Sequence, residues 1–220
     1  DNLNKAIESY ELAIAINSEL NKDKPYYNLG NIFRELGDHE KSIEFYKKAI
    51  EINQNNVDAY INLSISLNQI GDFKKAIYYC DKAIEKDPKN VTAINNLGKY
   101  HQEIGNDDLS MSFYKKAIDL NPKNLRSRWL LMNMFPIIYK NFEQIDFFRR
   151  HFEKNLTIIE NLVNEENIFS RNQILSSLNS CTNFYLHYQG GDVTNLQVRY
   201  ASVVQKLTKR IYPQLHNKIE

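Results

Sequence analysis

The sequence predicts an all-α protein: a right-handed superhelix of stacked helix pairs, followed by a non-repeating helical segment. Three observations carry this. Glycine is scarce, yet Gly37, Gly71 and Gly105 stand 34 residues apart, and Gly30 and Gly98 stand two such periods apart. Pro88 and Pro122 obey the same 34-residue ruler. Between these markers apolar residues recur three and four apart, the spacing that gives a helix one buried stripe. A fixed period of this length belongs to repeat architectures, in which each unit buries its stripe only against its neighbours.

Aligned on the glycines, one unit reads Tyr26-Tyr27-Asn28-Leu29-Gly30, then Phe33, Gly37, Ile43, Tyr46, Ala49 and Ile52. The next reads Tyr60-Ile61-Asn62-Leu63-Ser64, then Leu67, Gly71, Ala76-Ile77, Cys80 and Ala83; the third reads Ile94-Asn95-Asn96-Leu97-Gly98, then Gly105, Tyr114, Ala117 and Leu120. Full repeats therefore span 23–56, 57–90 and 91–124. Leu3, Ala6-Ile7, Tyr10 and Ala13-Ile14 match the second helix of a partial repeat over 1–22. The small residue at the eighth place (Gly30, Ser64, Gly98) admits a close helix, with Ser42, Ala76 and Ser110 expected opposite. Glycine in the turn takes positive φ cheaply and ends the first helix. Proline after the second helix cannot continue it. Cys80 falls on a face that is apolar in the other repeats and reads as a small buried packing residue.

From residue 125 to 220 the period fades into a degenerate repeat and an aromatic-rich cap or linker. Leu125–Phe135 begins another unit that loses the pattern at Pro136. Asn141, with Gln144 three places on, marks a helix start, and Phe142–Leu162 reads as an amphipathic helix. A looser stretch over Val163–Asn172 follows, then a helix over Ile174–Tyr188 stopped by Gly190-Gly191. Asp192 or Thr194 caps a last helix running to Tyr212, where Pro213 stops it. Trp129, Leu130, Phe135, Phe147, Phe148 and Phe152 are the expected cover for the open solenoid end.

Several function classes are disfavoured. Lys and Arg number 28 against 27 Asp and Glu, so no positive excess recruits nucleic acid or an anionic membrane. The doubled lysines Lys47-Lys48, Lys74-Lys75 and Lys115-Lys116 are interleaved with acids and read as solvated faces. No apolar stretch approaches the ~20 residues of a membrane span. Cys80 and Cys181 form no metal or redox spacing, which suits a reducing, cytoplasmic setting. His39, His101, His151, His187 and His216 share no ligand spacing, and neither a phosphate-cradling loop nor a nucleophile elbow is present. The expectation is no catalytic residue, no metal and no cofactor. The chain opens at Asp1 within a helical pattern, and so reads as a piece of something longer.

The repeat half resembles the tetratricopeptide repeat (TPR) superfamily. In that repeat the first helix of each unit lines a concave groove, and its sixth place, here Asn28, Asn62 and Asn96, faces inward. An asparagine amide both donates and accepts, so a ladder of them can pair with the backbone of an extended peptide whatever its side chains. Asn31, Asn68, Gln69, Asn95, Lys99 and Gln102 are expected beside the ladder. Chaperone-tail adaptors clamp a terminal carboxylate with basic groove residues. Those places hold Tyr27, Ile61 and Asn95, then Asn31, Ile65 and Lys99, and only Lys99 is basic. The expected partners are proteins or extended peptides, with the solenoid ends open to pairing with a second copy as a homo-oligomer.

The second half carries a narrower resemblance. Phe135-Pro136-Ile137-Ile138-Tyr139, Gln144-Ile145-Asp146-Phe147 with Arg149 through Phe152, Thr182 through Gly190 and Arg210-Ile211-Tyr212-Pro213 look like the stretch joining repeats to catalytic lobes in bacterial SPINDLY-type proteins. These are relatives of the O-linked N-acetylglucosamine transferases, which carry a similar asparagine ladder. Gly191-Asp192 departs from the charged pair expected there. The resemblance implies a substrate-recruiting arm of a protein O-glycosyltransferase, with catalytic lobes beyond residue 220 and no catalytic residue inside this chain. The alternative is a free-standing TPR adaptor that assembles protein complexes.

Overall fold

A computed structural model describes residues 2–16, 23–136, 139–165, 169–180 and 192–216, and every regular element among them is a helix. The chain divides into two compact units, Asp1–Ile104 and Gly105–Glu220. That division follows spatial contacts, whereas the expected boundary at residue 124 follows the sequence period.

The first unit holds α1 (Asn2–Ala15), α2 (Asp23–Glu35), α3 (His39–Ile52), α4 (Val57–Gln69), α5 (Phe73–Lys86) and α6 (Val91–Glu103). Its helix ends are set by short signals. Gly37 and Gly71 adopt φ of 80° and 79°, in the left-handed region where a side chain would be strained. The residue after each glycine donates its N–H back across the helix end, Asp38 to Phe33 and Asp72 to Leu67. The same two aspartates then cap the next helix, accepting from the Lys41 and Lys75 amides at 3.1 Å each. Asn56 and Asn90 do this for α4 and α6, accepting from Ala59 and Ala93 at 3.0 Å.

Helices pack in sequence, α2 on α3, α3 on α4, α4 on α5 and α5 on α6. First helices also touch one another, α2 with α4 and α4 with α6, whereas α3 and α5 do not. The first helices therefore form the tighter, inner layer of this unit. Its core is built from Leu29, Tyr46, Ala49, Ala59, Leu63, Ala76, Cys80, Ala83 and Ala93, all fully buried.

Ser42 is expected opposite the eighth place, and the atoms nearest to Gly30 there come from the ring of Tyr46. Ser42 is one turn away, where its hydroxyl reaches the His39 carbonyl at 2.8 Å and the Ser66 hydroxyl of the next repeat at 2.7 Å. A helix presents residues four apart on one face, so Ser42 and Tyr46 both lie on the buried side.

The second unit holds α7 (Asp107–Leu120), α8 (Leu125–Met132), α9 (Phe142–Asn164), α10 (Arg171–Leu178), α11 (Thr194–Ile211) and α12 (Pro213–His216). Helix α8 packs against α7, α9 and α10, and α11 against α9 and α10. Trp129, Leu130, Phe135, Phe148 and Phe152 are buried in this core with Leu156, Ile159, Ile174 and Leu207. Phe147 is the exception to the expected set, 49% exposed. The buried stripe of α9 runs through 148, 152, 156, 159 and 163, and residue 147 falls beside it.

The start of α9 is as expected: Asn141 accepts from the Gln144 amide at 2.8 Å, and the Gln144 side chain reaches the Lys140 amide at 2.7 Å. The expected helix over Ile174–Tyr188 differs. Helix α10 begins earlier, behind a capping box between Ser170 and Gln173, and ends at Leu178. Residues 181–191 lie outside the described residues. Val193 holds the cap position of α11, while the Asp192 carboxylate accepts from the Thr194 amide at 2.9 Å. Arg199 of α11 grips Glu160 of α9 with two bonds of 3.0 and 2.6 Å.

Candidate functional site

The inner layer of the first unit brings Asn28, Asn62 and Asn96 to one register on α2, α4 and α6, but the three are not equivalent. The Asn62 amide donates to the Tyr27 hydroxyl at 3.1 Å and to Asn31 Oδ1 at 3.0 Å, tying α4 to α2. Asn31 Oδ1 also accepts from the Tyr46 hydroxyl at 2.8 Å, and that hydroxyl accepts from Arg34 Nε at 3.3 Å. A continuous chain thus runs Arg34–Tyr46–Asn31–Asn62–Tyr27. Burial pushes the Tyr46 phenol up to about 12, against the opposing pull of Arg34.

Asn28 is half-buried. Asn96 and its neighbour Asn95 are 2% and 1% exposed, so they sit within the packing. Gln69 is exposed and Gln102 half-buried. Asn68 and Lys99 converge on a residue that sequence reasoning missed, Glu103. Lys99 Nζ lies 3.7 Å from Glu103 Oε1, and the Asn68 side chain lies beside the same carboxyl. Desolvation raises the Glu103 carboxyl above its ordinary range, opposed by Lys99 and Asn68. The one basic groove residue is therefore already matched by an acid one turn along its own helix. The four-residue spacing of Lys99 and Glu103 was the legible signal. Among the described residues the inner face offers mainly amide and hydroxyl hydrogen bonding, with no cluster of cations.

Two sequence profiles described as tetratricopeptide repeat match the chain, one over residues 24–56 and the other over 45–78 and 79–110. Together the matches run over residues 24–110, the stretch that carries the 34-residue period. Among curated proteins, the photosystem I assembly protein Ycf3 of Acaryochloris marina is 39% identical over 59 residues, which are 26% of this chain and 36% of that protein. The chain thus spans about a third of the length of the curated relative it matches. Among solved structures, one of MamA superposes with a TM-score of 0.62 at 22% identity, covering 72% of this chain and 90% of that one. MamA residues 41 to end from Desulfovibrio magneticus RS-1 give 0.58 at 17% identity, covering 76% and 98%. At these identities the likeness to MamA is one of fold.

Proposed function

We propose that this chain is an adaptor that holds an extended segment of another polypeptide against α2, α4 and α6 and so brings proteins together. Tetratricopeptide repeats mediate protein–protein interaction, and stacked repeats give the long surface this needs. The observation that carries the reading is the row of side-chain amides at one register on successive inner helices. Asn28 supplies the accessible amide, while Asn62, with its donors used inside the protein, keeps an acceptor oxygen for a backbone N–H. Gln69 and Gln102 extend the polar surface, and the Lys99–Glu103 pair speaks against a clamp for a terminal carboxylate. The free-standing adaptor is favoured over a glycosyltransferase arm, because the curated relative is named for assembly.

The test is selection of binding peptides from an unbiased display library, followed by affinity measurement. We expect selected peptides to compete with one another and to bind about fivefold more weakly to Asn28→Ala, the loss of about 1 kcal/mol for one hydrogen bond. Peptides indifferent to Asn28→Ala and Gln69→Ala would place the binding surface elsewhere. Turnover of a nucleotide sugar by the purified chain would overturn the non-catalytic reading.

A further inference from the structure

We propose that the cleft between α7 and α9 docks an acidic, amphipathic helix of a partner protein. This surface lies wholly in the second unit and is independent of the groove on α2, α4 and α6. Helices α7 and α9 both pack on α8 but not on each other, which leaves a cleft of about 480 Å³ floored by Leu131. Its walls are apolar near the floor: Met111 and Ile118 come from α7, Phe147 and Ile158 from α9. Phe147 is half exposed there although it is one of the largest apolar side chains of the unit. Methionine and phenylalanine together make an adaptable apolar seat.

The rim is cationic. Lys115, Arg128, Arg150 and Lys154 line the cleft against a single acid, Asp119. Among the described residues none of these four cations is in an ion pair. Some basic residues elsewhere in the unit are matched, Arg199 by Glu160 at 2.6 Å and Glu153 at 3.5 Å, Arg149 by Asp146 at 3.9 Å and Lys123 by Glu165 at 3.7 Å. The chain as a whole carries a net charge of only +1, so the local excess is not a reflection of composition. Two of the guanidiniums are held in place without being neutralised, Arg128 by the Pro122 carbonyl at 2.7 Å and Arg150 by the Asp146 carbonyl at 3.2 Å. The His151 side chain, on the same wall, is disfavoured as a cation foremost by burial; the Leu131 carbonyl opposes this, and Lys115 and Lys154 add to it.

The shape selects a helix. Phe147 to Ile158 spans three turns, about 16 Å at 1.5 Å per residue. Both walls are helices with their backbone groups already paired, so an extended strand finds no ladder to join. A helix instead lays one apolar stripe on Met111, Ile118, Phe147 and Ile158. Carboxylates flanking that stripe then meet Lys115 on one wall and Arg150 and Lys154 on the other.

The probe is a fluorescent 18-residue peptide with leucines at helical spacing and glutamates on either side of that stripe, titrated by anisotropy against the full chain. We expect saturable binding, weakened at least tenfold in K115E/K154E and restored to that variant by the same peptide with lysines in place of glutamates. Phe147→Ala should weaken the original peptide about fivefold with circular dichroism unchanged. If K115E/K154E does not fold, R150Q/K154Q carries the charge test, with a threefold loss expected. Absence of saturable binding overturns the proposal, and so does equal binding of a scrambled peptide of the same composition. Capture of phosphatidylserine-containing vesicles that depends on Lys115 and Lys154, without peptide binding, would assign the surface to a membrane instead.

Discussion

Gly30 lies so close to the ring of Tyr46 that a Cβ at residue 30 would sit 2.5 Å from Cε1 and 2.6 Å from Cδ1. The ring cannot swing aside, because its hydroxyl is fixed between Asn31 and Arg34. In the second repeat the equivalent places hold Ser64 and Cys80, both fully buried. A residue with no side chain is matched to a large one, and a small one to a small one. Gly30→Ala is therefore expected to lose about 2 kcal/mol by overpacking, despite the ~1 kcal/mol that alanine gains in a helix. Urea unfolding measures it. Gly30→Ser should cost less in a Tyr46→Cys background than in the parent, and equal costs would show the two sites to be uncoupled.

The amide row separates into residues that hold the fold and one that does not. Asn62→Ala removes the donor for both Tyr27 and Asn31, and about 1–2 kcal/mol of stability should go with it. Asn28→Ala should stay within about 0.5 kcal/mol of the parent. A triple change including the buried Asn96 would mix unfolding with lost binding, so the single Asn28 variant is the sharper probe of the groove. Matching melting curves for Asn62→Ala and the parent would contradict the bridging role.

Cys80 should be inert in the folded protein. Burial pushes its thiol up to about 12, and its Sγ donates to the Ala93 carbonyl at 3.1 Å. At pH 8 a thiol with that pKa is thiolate in about one part in ten thousand. Iodoacetamide followed by peptide mass spectrometry should find the Cys80 peptide unmodified until denaturant is added. Native labelling within minutes would show the α4–α5–α6 packing to open readily.

His151 should make the second unit acid-sensitive. Burial lowers its pKa foremost, the nearby Lys115 and Lys154 act in the same direction, and the bond between its Nε2 and the Leu131 carbonyl at 2.7 Å opposes them. The unfolded chain takes up this proton first, near pH 6.5, so its contribution to stability is present above that value. It is lost as pH falls from there to the folded pKa, and is level below. In the first unit His101, lowered by burial with Asp81 opposing, acts in the same sense. The difference in urea midpoint between the parent and His151→Gln, followed from pH 7.5 to 5, isolates the His151 share. A difference that grows in the parent's favour as pH falls would contradict the sign.

What the sequence made legible was whatever depends on period and local chemistry. Gly37, Gly71 and Gly105 all take φ near 80°, as their spacing implied. The start of α9 was readable from Asn141 and Gln144, because a cap acts within one turn. The start of α10 carried a signal just as local, Ser170 with Gln173, that apolar patterning overrode. Partners across helices were less legible. Ser42 and Tyr46 share a buried face, and only the tilt of α3 on α2 decides which meets Gly30. The α7–α9 cleft was hidden for a related reason. Lys115 beside Lys116 resembles any solvated pair until α9 brings Arg150 and Lys154 opposite it.

The Ser42–Ser66 bond joins neighbouring repeats 24 residues apart in sequence. One period on, the same two places hold Ala76 and Tyr100, so this joint is made differently at each step. A gene rearrangement that duplicated the 57–90 block behind itself would seat Ala76 against a copy of Ser66, leaving a hydroxyl without its mate. The Gly30–Tyr46 match lies within one block and would survive the same event. Repeats of this chain are thus interchangeable inside and particular at their borders, which gives the array a fixed serial order that its genetic history must respect.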